Sequence, residues 1–238
     1  MPDDPDQTLV PEETPTSPET PAAISSAVSR SLIVAPIPVR TRLVDTIGPL
    51  NASTLRAYKD AGAEGLIGYL GGNLTADAIE CALGYGMGIV PVNYSRAPGW
   101  VPSAELGAAD ATQSVRRLSL LGVPLKGLDD WCDIEGCGGD PTKYCQSWCS
   151  IVAGDGAGRV AKEYVGAGAL LSGHAHYLLP FKGYWHSCSR AIPEPDCGFQ
   201  MFQIYPPDQP VSGASTVDWD FVARDFQGRA PTWLKAQA

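Results

Sequence analysis

The residues best suited to chemistry are two carboxylates in a short acidic stretch, Gly127 to Glu135. This stretch is followed by the turn-rich segment Gly136 to Pro141, a pattern that predicts a strand running into a loop. Because successive side chains on a strand point to opposite faces, Asp133 and Glu135 share one face, with Cβ atoms about 6–7 Å apart. Carboxylates this close repel each other, so one can hold a proton near neutral pH while the other stays ionised. Such a pair suits acid catalysis at a glycosidic bond; the alternative is two solvated acids at a strand end.

Other acids lie at the ends of other predicted strands. Asp45 ends the first strand, and Asp218 and Asp220 lie two residues apart on the last strand, on one face. If the sheet closes into a barrel, the first strand pairs with the last, which makes Asp45 and Asp218 neighbours. Candidate sugar-binding residues, at strand ends or in positions to face a groove, are Tyr94, Trp131, Trp185, Gln203, Tyr205 and Asp220.

Strand-like and helix-like segments alternate from residue 40 onward and must position these acids. The predicted strands are 42–46, 65–70, 88–94, 127–135, 162–166, 183–187, 199–205 and 216–220. The predicted helices are 51–61, 75–83, 103–121 and 142–152. Eight strands with helices mainly between the early ones predict an α/β fold, a single TIM-type barrel, parallel, with helices reduced in its second half. A doubly wound open sheet is the alternative, but the Gly-rich phosphate loop typical of it is missing from the sequence.

The N-terminal segment differs in composition from the rest. Residues 1–21 hold six of the 21 prolines, six acids and no Lys or Arg, which predicts a disordered tail. We place the tail or linker at residues 1–38 and the barrel at 39–238; the tail could tether a protein partner. The net charge of −9 comes largely from this tail. An acidic chain is a poor partner for nucleic acid, and the absence of a run of 18 apolar residues predicts no membrane span.

Cysteines and histidines offer weaker candidates. Seven cysteines leave at least one thiol unpaired within the chain. Cys188 and Cys197 are the best disulfide candidates, a pair among Cys137, Cys145 and Cys149 is a second option, and reduced buried thiols are the alternative. His174 and His176 could resemble a metal pair, but without a third ligand we expect solvated or capping side chains and no metal site.

The order and spacing of several segments resemble the glycoside-hydrolase-like domains of the family 25 lysozyme superfamily. The nearest subgroup is a bacterial and phage family of unknown function. The resemblance spans roughly residues 41–225 and is carried by Val44-Asp45-Thr46, residues 56–70, Pro91 to Tyr94, residues 107–122, Asp133-Ile134-Glu135, Phe202 to Tyr205, and Val217 to Asp220.

The resemblance implies a role for each matching residue. Glu135 matches the proton donor and Asp133 its charge-stabilising partner, while Asp45 and Asp218 match acids of the first and closing strands. Gln203 matches a groove-lining glutamine. The sequence departs from true family 25 lysozymes at the sixth strand, Tyr184 to Ser187, where those enzymes carry a further aspartate, and at Phe202, where tryptophan is usual.

The sequence therefore predicts a glycosidase-like protein that acts on a cell-wall polysaccharide, the glycan strands of peptidoglycan above all, with no metal or organic cofactor. The alternative is a non-catalytic sugar-binding or structural module, such as a phage virion or cell-surface component, with the same barrel. Either function predicts an extracellular or cell-wall-directed protein, although the acidic N-terminus does not resemble a secretory signal peptide.

Overall fold

A computed structural model describes residues 32–93 and 96–237. Its strands are β1 (Leu32–Pro36), β2 (Arg42–Asp45), β3 (Gly65–Leu70), β4 (Gly88–Asn93), β5 (Asp129–Ile134), β6 (Val160–Val165), β7 (Tyr184–His186), β8 (Met201–Gln203), β9 (Asp218–Val222) and β10 (Thr232–Ala236). Its helices are α1 (Ala52–Asp60), α2 (Ala76–Gly84), α3 (Ala104–Leu121), α4 (Thr142–Gly154) and α5 (Gly173–Leu178).

Strands β2 to β9 form a closed eight-stranded barrel in an α/β fold, as predicted. The hydrogen-bonded order runs β4-β3-β2-β9-β8-β7-β6-β5, and a pairing of β4 with β5 closes it. The second half has few helices; within the described ranges, only the six-residue α5 follows α4. None of the described helices is both long and apolar enough to cross a bilayer.

Strand β9 corrects the expectation of an all-parallel barrel. It runs antiparallel to both of its neighbours, β8 and β2. Because β9 is antiparallel, its first residue, Asp218, lies at the end of the barrel where the parallel strands finish. There it pairs directly with Asp45 in the β2–β9 register, so the predicted proximity of these two residues is confirmed.

Helix boundaries follow local capping signals. Asn51, Thr75 and Ser103 are the N-caps of α1, α2 and α3, and each side chain accepts a hydrogen bond from a backbone N–H of the first turn. Such caps satisfy backbone donors that have no partner within the helix. The first three helices therefore begin within a residue of their predicted starts, which fixes where the loops above the barrel begin.

The barrel interior is filled with side chains from alternate strand positions. Leu43, Ile67, Trp131, Trp185 and Met201 are all buried in one cluster there. Two further apolar clusters lie between the barrel and its helices. Since the interior is packed, any ligand site must lie above this layer, at an end of the barrel.

Two strands outside the barrel close its lower end, where the parallel strands begin. β1 pairs antiparallel with β10, and β10 pairs with β4 at Leu234 and Ile89. Trp233 on β10 lies against Gly88 and Gly65, where any side chain would overlap its ring. Thr232 and Asp129 exchange two hydrogen bonds of 2.6 and 3.0 Å, which fasten β10 to the start of β5.

The folded unit begins before the boundary predicted at residue 39. β1 is paired along its whole length, and Ile37 is buried inside the barrel. The domain boundary therefore lies closer to the N-terminus than predicted. Residues 1–31, which make up most of the predicted tail, lie outside the described residues.

Candidate active site

A pocket of about 380 Å³ opens at the end of the barrel where the parallel strands finish. Six predicted site residues line it: Asp45, Asp133, Glu135, Trp185, Gln203 and Asp218. They come from β2, β5, β7, β8 and β9 and from the loop that follows β5. The closed barrel thus brings together side chains that are up to 173 positions apart in sequence, from 45 to 218.

Two hydrogen bonds hold the backbone around Glu135, and a close approach of Gly166 positions its side chain. The indole Nε1 of Trp100 donates to the Glu135 carbonyl oxygen at 2.8 Å. Gly136 has a φ of 58°, a left-handed conformation that glycine adopts without strain, and its N–H donates to the Ala167 carbonyl. A Cβ placed on Gly166 would lie 2.2 Å from the Glu135 Cβ and 2.8 Å from its Oε2. The Glu135 side chain therefore packs directly against the backbone of Gly166, where only a glycine leaves room for it.

Asp45 and Asp218 face each other across the pocket wall and have different partners. The Tyr69 hydroxyl donates to Asp45 Oδ2 at 3.1 Å. Asp218 accepts from the Gln203 amide at 2.7 Å through Oδ2 and from the Asp208 backbone N–H at 2.7 Å through Oδ1. Asp218 is thus oriented by two hydrogen bonds, whereas Asp45 Oδ1 is buried with no hydrogen-bond partner among the described residues.

The carboxyl groups of this wall are hard to ionise. Burial raises the pKa of Asp45 to about 7; the Tyr69 hydrogen bond opposes this effect, and the charges of Asp218 and Glu135 add to it. Burial likewise raises the pKa of Asp218. Burial and the charge of Asp45 hold the pKa of Asp220 well above its ordinary value. Near neutral pH these carboxyl groups therefore keep their protons more readily than an exposed aspartate would.

The remaining predicted binding residues lie at other depths. Trp131 shares the inward face of β5 with Asp133, but it is fully buried in the layer below, which corrects its prediction as a groove residue. Asp220 is also fully buried beneath the pocket and accepts from Trp185 Nε1 at 2.7 Å. Tyr205 is 65% exposed and outside the pocket lining, beside Arg190. Tyr94 lies outside the described residues.

Four residues that line the pocket were not predicted from the sequence: Ile47, Tyr69, Tyr164 and Cys188. Tyr69 and Tyr164 lie near the ends of β3 and β6, so the strand-end rule that identified Asp45 and Asp133 would have found them too. Tyr164 also donates to Gln203 Oε1 at 3.3 Å. Ile47 and Cys188 are in loops, and nothing in their local sequence signals a role in the site.

The two histidines lie on α5, away from the pocket. His174 is exposed and contacts Asp196 at 2.6 Å, as expected for a solvated side chain. His176 is fully buried and contacts Glu163 at 2.9 Å, which corrects the expectation that it is solvated or a cap. The described residues contain no group of three or more side chains arranged to bind a metal ion.

All seven cysteines are among the described residues, and all are unbonded. The predicted Cys188–Cys197 pair is absent because Cys188 lines the pocket while Cys197 is buried in the cluster beneath α4. Cys137, Cys145 and Cys149 are buried in that same cluster as reduced thiols. Burial raises the pKa of Cys149 and Cys145, which keeps these thiols protonated and unreactive.

The arrangement suits acid-assisted cleavage of a bond in a neutral or cationic ligand. Asp133 and Glu135 are half-buried, so they can meet both ligand and solvent. Hydroxyl and amide groups of Tyr69, Tyr164 and Gln203 provide hydrogen bonds of the kind that orient sugar hydroxyls. Among the described residues that line the pocket, none is Lys, Arg or His, so an anionic ligand would find no counter-charge there.

The chain matches no family model and no curated protein. It is similar in structure to an uncharacterised protein of B. stearothermophilus, with a TM-score of 0.59 and 17% identity over 77% of this chain and 96% of the other. A Tat-secreted protein of Mycobacterium tuberculosis, crystallised with L-tartrate, gives a TM-score of 0.54 at 16% identity over 79% and 98% of the two chains. The catalytic domain of the endolysin ply40, from a bacteriophage of Listeria monocytogenes, gives 0.55 at 13% identity over 77% and 93%. At these identities the likeness establishes a shared barrel fold and nothing about activity.

Proposed function

We propose that this chain is a glycosidase that cleaves the glycan strands of a cell-wall polysaccharide, with peptidoglycan as the substrate class. One observation carries the proposal: carboxylates from β2, β9 and the end of β5 converge on one pocket at the end of the barrel where active sites of this architecture lie. The fold shared with an endolysin catalytic domain supports the choice of polymer.

In this mechanism the bond that breaks joins the anomeric carbon of one sugar to the bridging oxygen. Glu135 donates its proton to that oxygen as the bond lengthens, and the leaving sugar departs as an alcohol. Asp133 stabilises the positive charge that develops on the remaining sugar or positions the N-acetyl group of the substrate. Water then supplies hydroxide to the anomeric carbon and returns a proton to Glu135, so the enzyme ends in its starting state.

The pocket walls support this division of roles. Glu135 is seated on Gly166, which fixes the proton donor relative to the strand that carries Asp133. Gln203 and Asp218 are joined by a hydrogen bond and line the same pocket as Glu135, where they can bind sugar hydroxyls. Asp45 lines the same wall and Asp220 lies buried nearby, and burial favours the protonated form of both carboxyl groups. We place the protein at a cell wall, extracellular or virion-associated, because that is where such a polymer occurs.

The decisive experiment compares the wild-type protein with Glu135→Gln on purified peptidoglycan, with release of reducing ends as the readout. The substitution keeps size and hydrogen bonding but removes the proton, so we expect hydrolysis to fall by about 10²- to 10⁴-fold. Glu194→Gln, at an exposed loop position, is the matched control and should keep the wild-type rate. Binding of polymer without any release between pH 4 and 8 would instead identify a non-catalytic sugar-binding module.

A further inference from the structure

A larger hollow, here called the side hollow, lies beside the catalytic pocket at the same end of the barrel. It has a volume of about 670 Å³ and is lined by the ends of β3 and β4, by residues 96–100 and by one face of α3. Tyr69 lines the catalytic pocket, whereas Gly71, two positions further along the chain, lines the side hollow. Trp100 lines the side hollow and donates from Nε1 to the backbone carbonyl of Glu135, whose residue lines the pocket. The two sites therefore share a wall, and a branch on a ligand in the pocket can reach the side hollow.

The side hollow carries a positive charge that the catalytic pocket lacks. Among the described residues that line it, two are arginines, Arg96 and Arg117, and one is an acid, Asp110. Arg96 donates to both oxygens of Asp110, at 2.8 Å from Nε to Oδ2, and Tyr144 also donates to Oδ2 at 2.8 Å. Arg96 thus balances the charge of Asp110, and the charge of Arg117 is in excess.

Arg117 is held in position while most of its donors stay available. A guanidinium has five N–H donors, and the hydrogen bond of Arg117 within the described residues runs from Nη1 to the Leu70 carbonyl at 2.9 Å. The group lies across Gly71, where a Cβ would overlap it and where φ is 76°. Neither Nε nor Nη2 is sealed from solvent, so a ligand can contact both.

The charge of Arg117 is partly desolvated without an ion pair to offset the loss. Arg117 forms no salt bridge with an acid in the part of the chain that the structure describes. Burial lowers the pKa of Arg117, and the charge of Asp110 opposes this effect. Because a half-buried cation has lost part of its hydration, an anion that pairs with it forms stronger hydrogen bonds than a neutral group would.

A carboxylate is the anion that fits this site. One excess positive charge is balanced by one singly charged group, and the two coplanar oxygens of a carboxylate match the donors of a guanidinium. Gln113 lies on the same face of α3 as Arg117 and adds an amide donor to the lining. The catalytic pocket, which has acids and no cation among its described lining residues, would repel the same group.

We propose that the side hollow binds a carboxylate of the peptide that branches from the sugar chain, so that the preferred substrate is a glycan with acidic peptide substituents. The neutral sugar occupies the catalytic pocket, and its peptide extends past Trp100 to Arg117, which donates to the carboxylate. The inference rests on the proposed function for its polymer class, but selectivity for a carboxylate is a separate property that binding alone can measure.

The experiment measures binding by isothermal titration calorimetry with two probes of equal size. One is a tetrasaccharide of alternating N-acetylglucosamine and N-acetylmuramic acid that carries L-Ala-D-Glu dipeptides. The other is the same molecule with its dipeptide carboxylates converted to amides. Full-length Glu135→Gln protein is used so that neither probe is cleaved. We expect the acidic probe to bind about 10-fold more tightly at pH 7, the effect of one charge-assisted hydrogen bond, and the difference to shrink as salt screens the charges.

Three variants in the Glu135→Gln background locate the effect. Arg117→Gln should weaken the acidic probe about 10-fold and leave the amidated probe within about twofold, and retained binding of the amidated probe shows that the variant is folded. Arg117→Lys keeps the charge but loses the paired donors, so it should weaken the acidic probe by a smaller factor. Arg116→Gln is the matched control: it removes the same charge from the next position of α3, which is exposed and outside the hollow, and should change neither affinity.

Each outcome bears on one claim. Equal affinity for the two probes overturns the carboxylate proposal and leaves the glycosidase proposal standing. A preference for the acidic probe that Arg117→Gln leaves unchanged also overturns it, as does equal weakening of both probes, which would mean that Arg117 supports the structure only.

A third probe and a separate assay complete the test. A glycerol phosphate trimer that binds more tightly than the acidic probe, and loses its affinity in Arg117→Gln, overturns the proposal in favour of a phosphate-bearing wall polymer. Failure of both sugar probes to bind overturns the carboxylate proposal, and the peptidoglycan assay described above then decides the glycosidase proposal independently.

Discussion

Gly166→Ala is expected to disable catalysis through a single added methyl group. Gly166 follows β6, and its Cα supports the Glu135 side chain. The new Cβ would lie 2.2 Å from the Glu135 Cβ, whereas carbon atoms in contact keep about 3.5 Å, so one side must retreat by about 1.3 Å. Gly166 does not have a left-handed φ, so alanine fits its backbone and the strain falls on the contact with Glu135.

The expected loss follows from that displacement. Misplacing a catalytic group by about 1 Å costs about 10²-fold in rate, equivalent to about 2.7 kcal/mol of transition-state stabilisation. Overpacking should also lower the free energy of unfolding by about 1–3 kcal/mol. The assay is release of reducing ends from peptidoglycan, with kcat and KM separated, and we expect kcat to carry most of the loss.

Gly154→Ala is the matched control. A Cβ at Gly154, the last residue of α4, meets no atom within 4 Å, so activity and stability should stay at the wild-type level. A folded Gly166→Ala protein that keeps more than a third of the wild-type kcat would refute the claim that the position of Glu135 is set by Gly166 and matters for turnover.

Three other predictions concern stability. Burial raises the pKa of Asp45 from 3.8 in the unfolded chain to about 7 in the folded protein, so this group leaves stability intact below pH 4 and lowers it as the pH rises through 7. Asp45→Asn should therefore raise the free energy of unfolding at pH 8 by up to about 4 kcal/mol. The gain should vanish near pH 4, as measured by urea titrations. Trp233→Ala should cost about 3–5 kcal/mol in the same titrations, because the ring fills the lower end of the barrel, whereas Phe226→Ala, at a 75% exposed position, should cost under about 0.5 kcal/mol. Deleting residues 1–31 should leave the Tm of the barrel unchanged, but deleting 1–38 removes β1 and buried Ile37 and should lower it by several degrees in calorimetry; equal Tm values for the two deletions would show that β1 contributes nothing.

Local signals predicted most of the fold, and non-local pairings account for what was missed. Helix caps such as Asn51 and short apolar strands such as 65–70 are encoded within a few residues, so their positions could be read directly. β1 and β10 lie about 200 positions apart; β1 forms a strand by pairing with β10, and β10 pairs with both β1 and β4. The direction of β9 is likewise set by its neighbours, since a five-residue strand has the same pattern in either direction.

The sequence predicted which strand face each candidate side chain lies on, but not how deep in the barrel it lies. The two-residue period of a strand correctly placed Asp133 and Trp131 on one face, as it did Asp218 and Asp220. Which of the two reaches the pocket depends on the tilt and stagger of the strands, which the sequence does not reveal. Trp131 and Asp220 consequently lie in the packed layer, while Asp133 and Asp218 line the pocket.

The pairing of β1 with β10 determines how the barrel can be attached to anything else. Leu32 lies opposite Ala236, so the two ends of the described chain leave side by side from the end of the barrel away from the pocket. Segments joined at either end, including residues 1–31, therefore start from a single point behind the pocket. An attachment made directly at either end of the described chain would therefore contact the side of the barrel opposite the pocket.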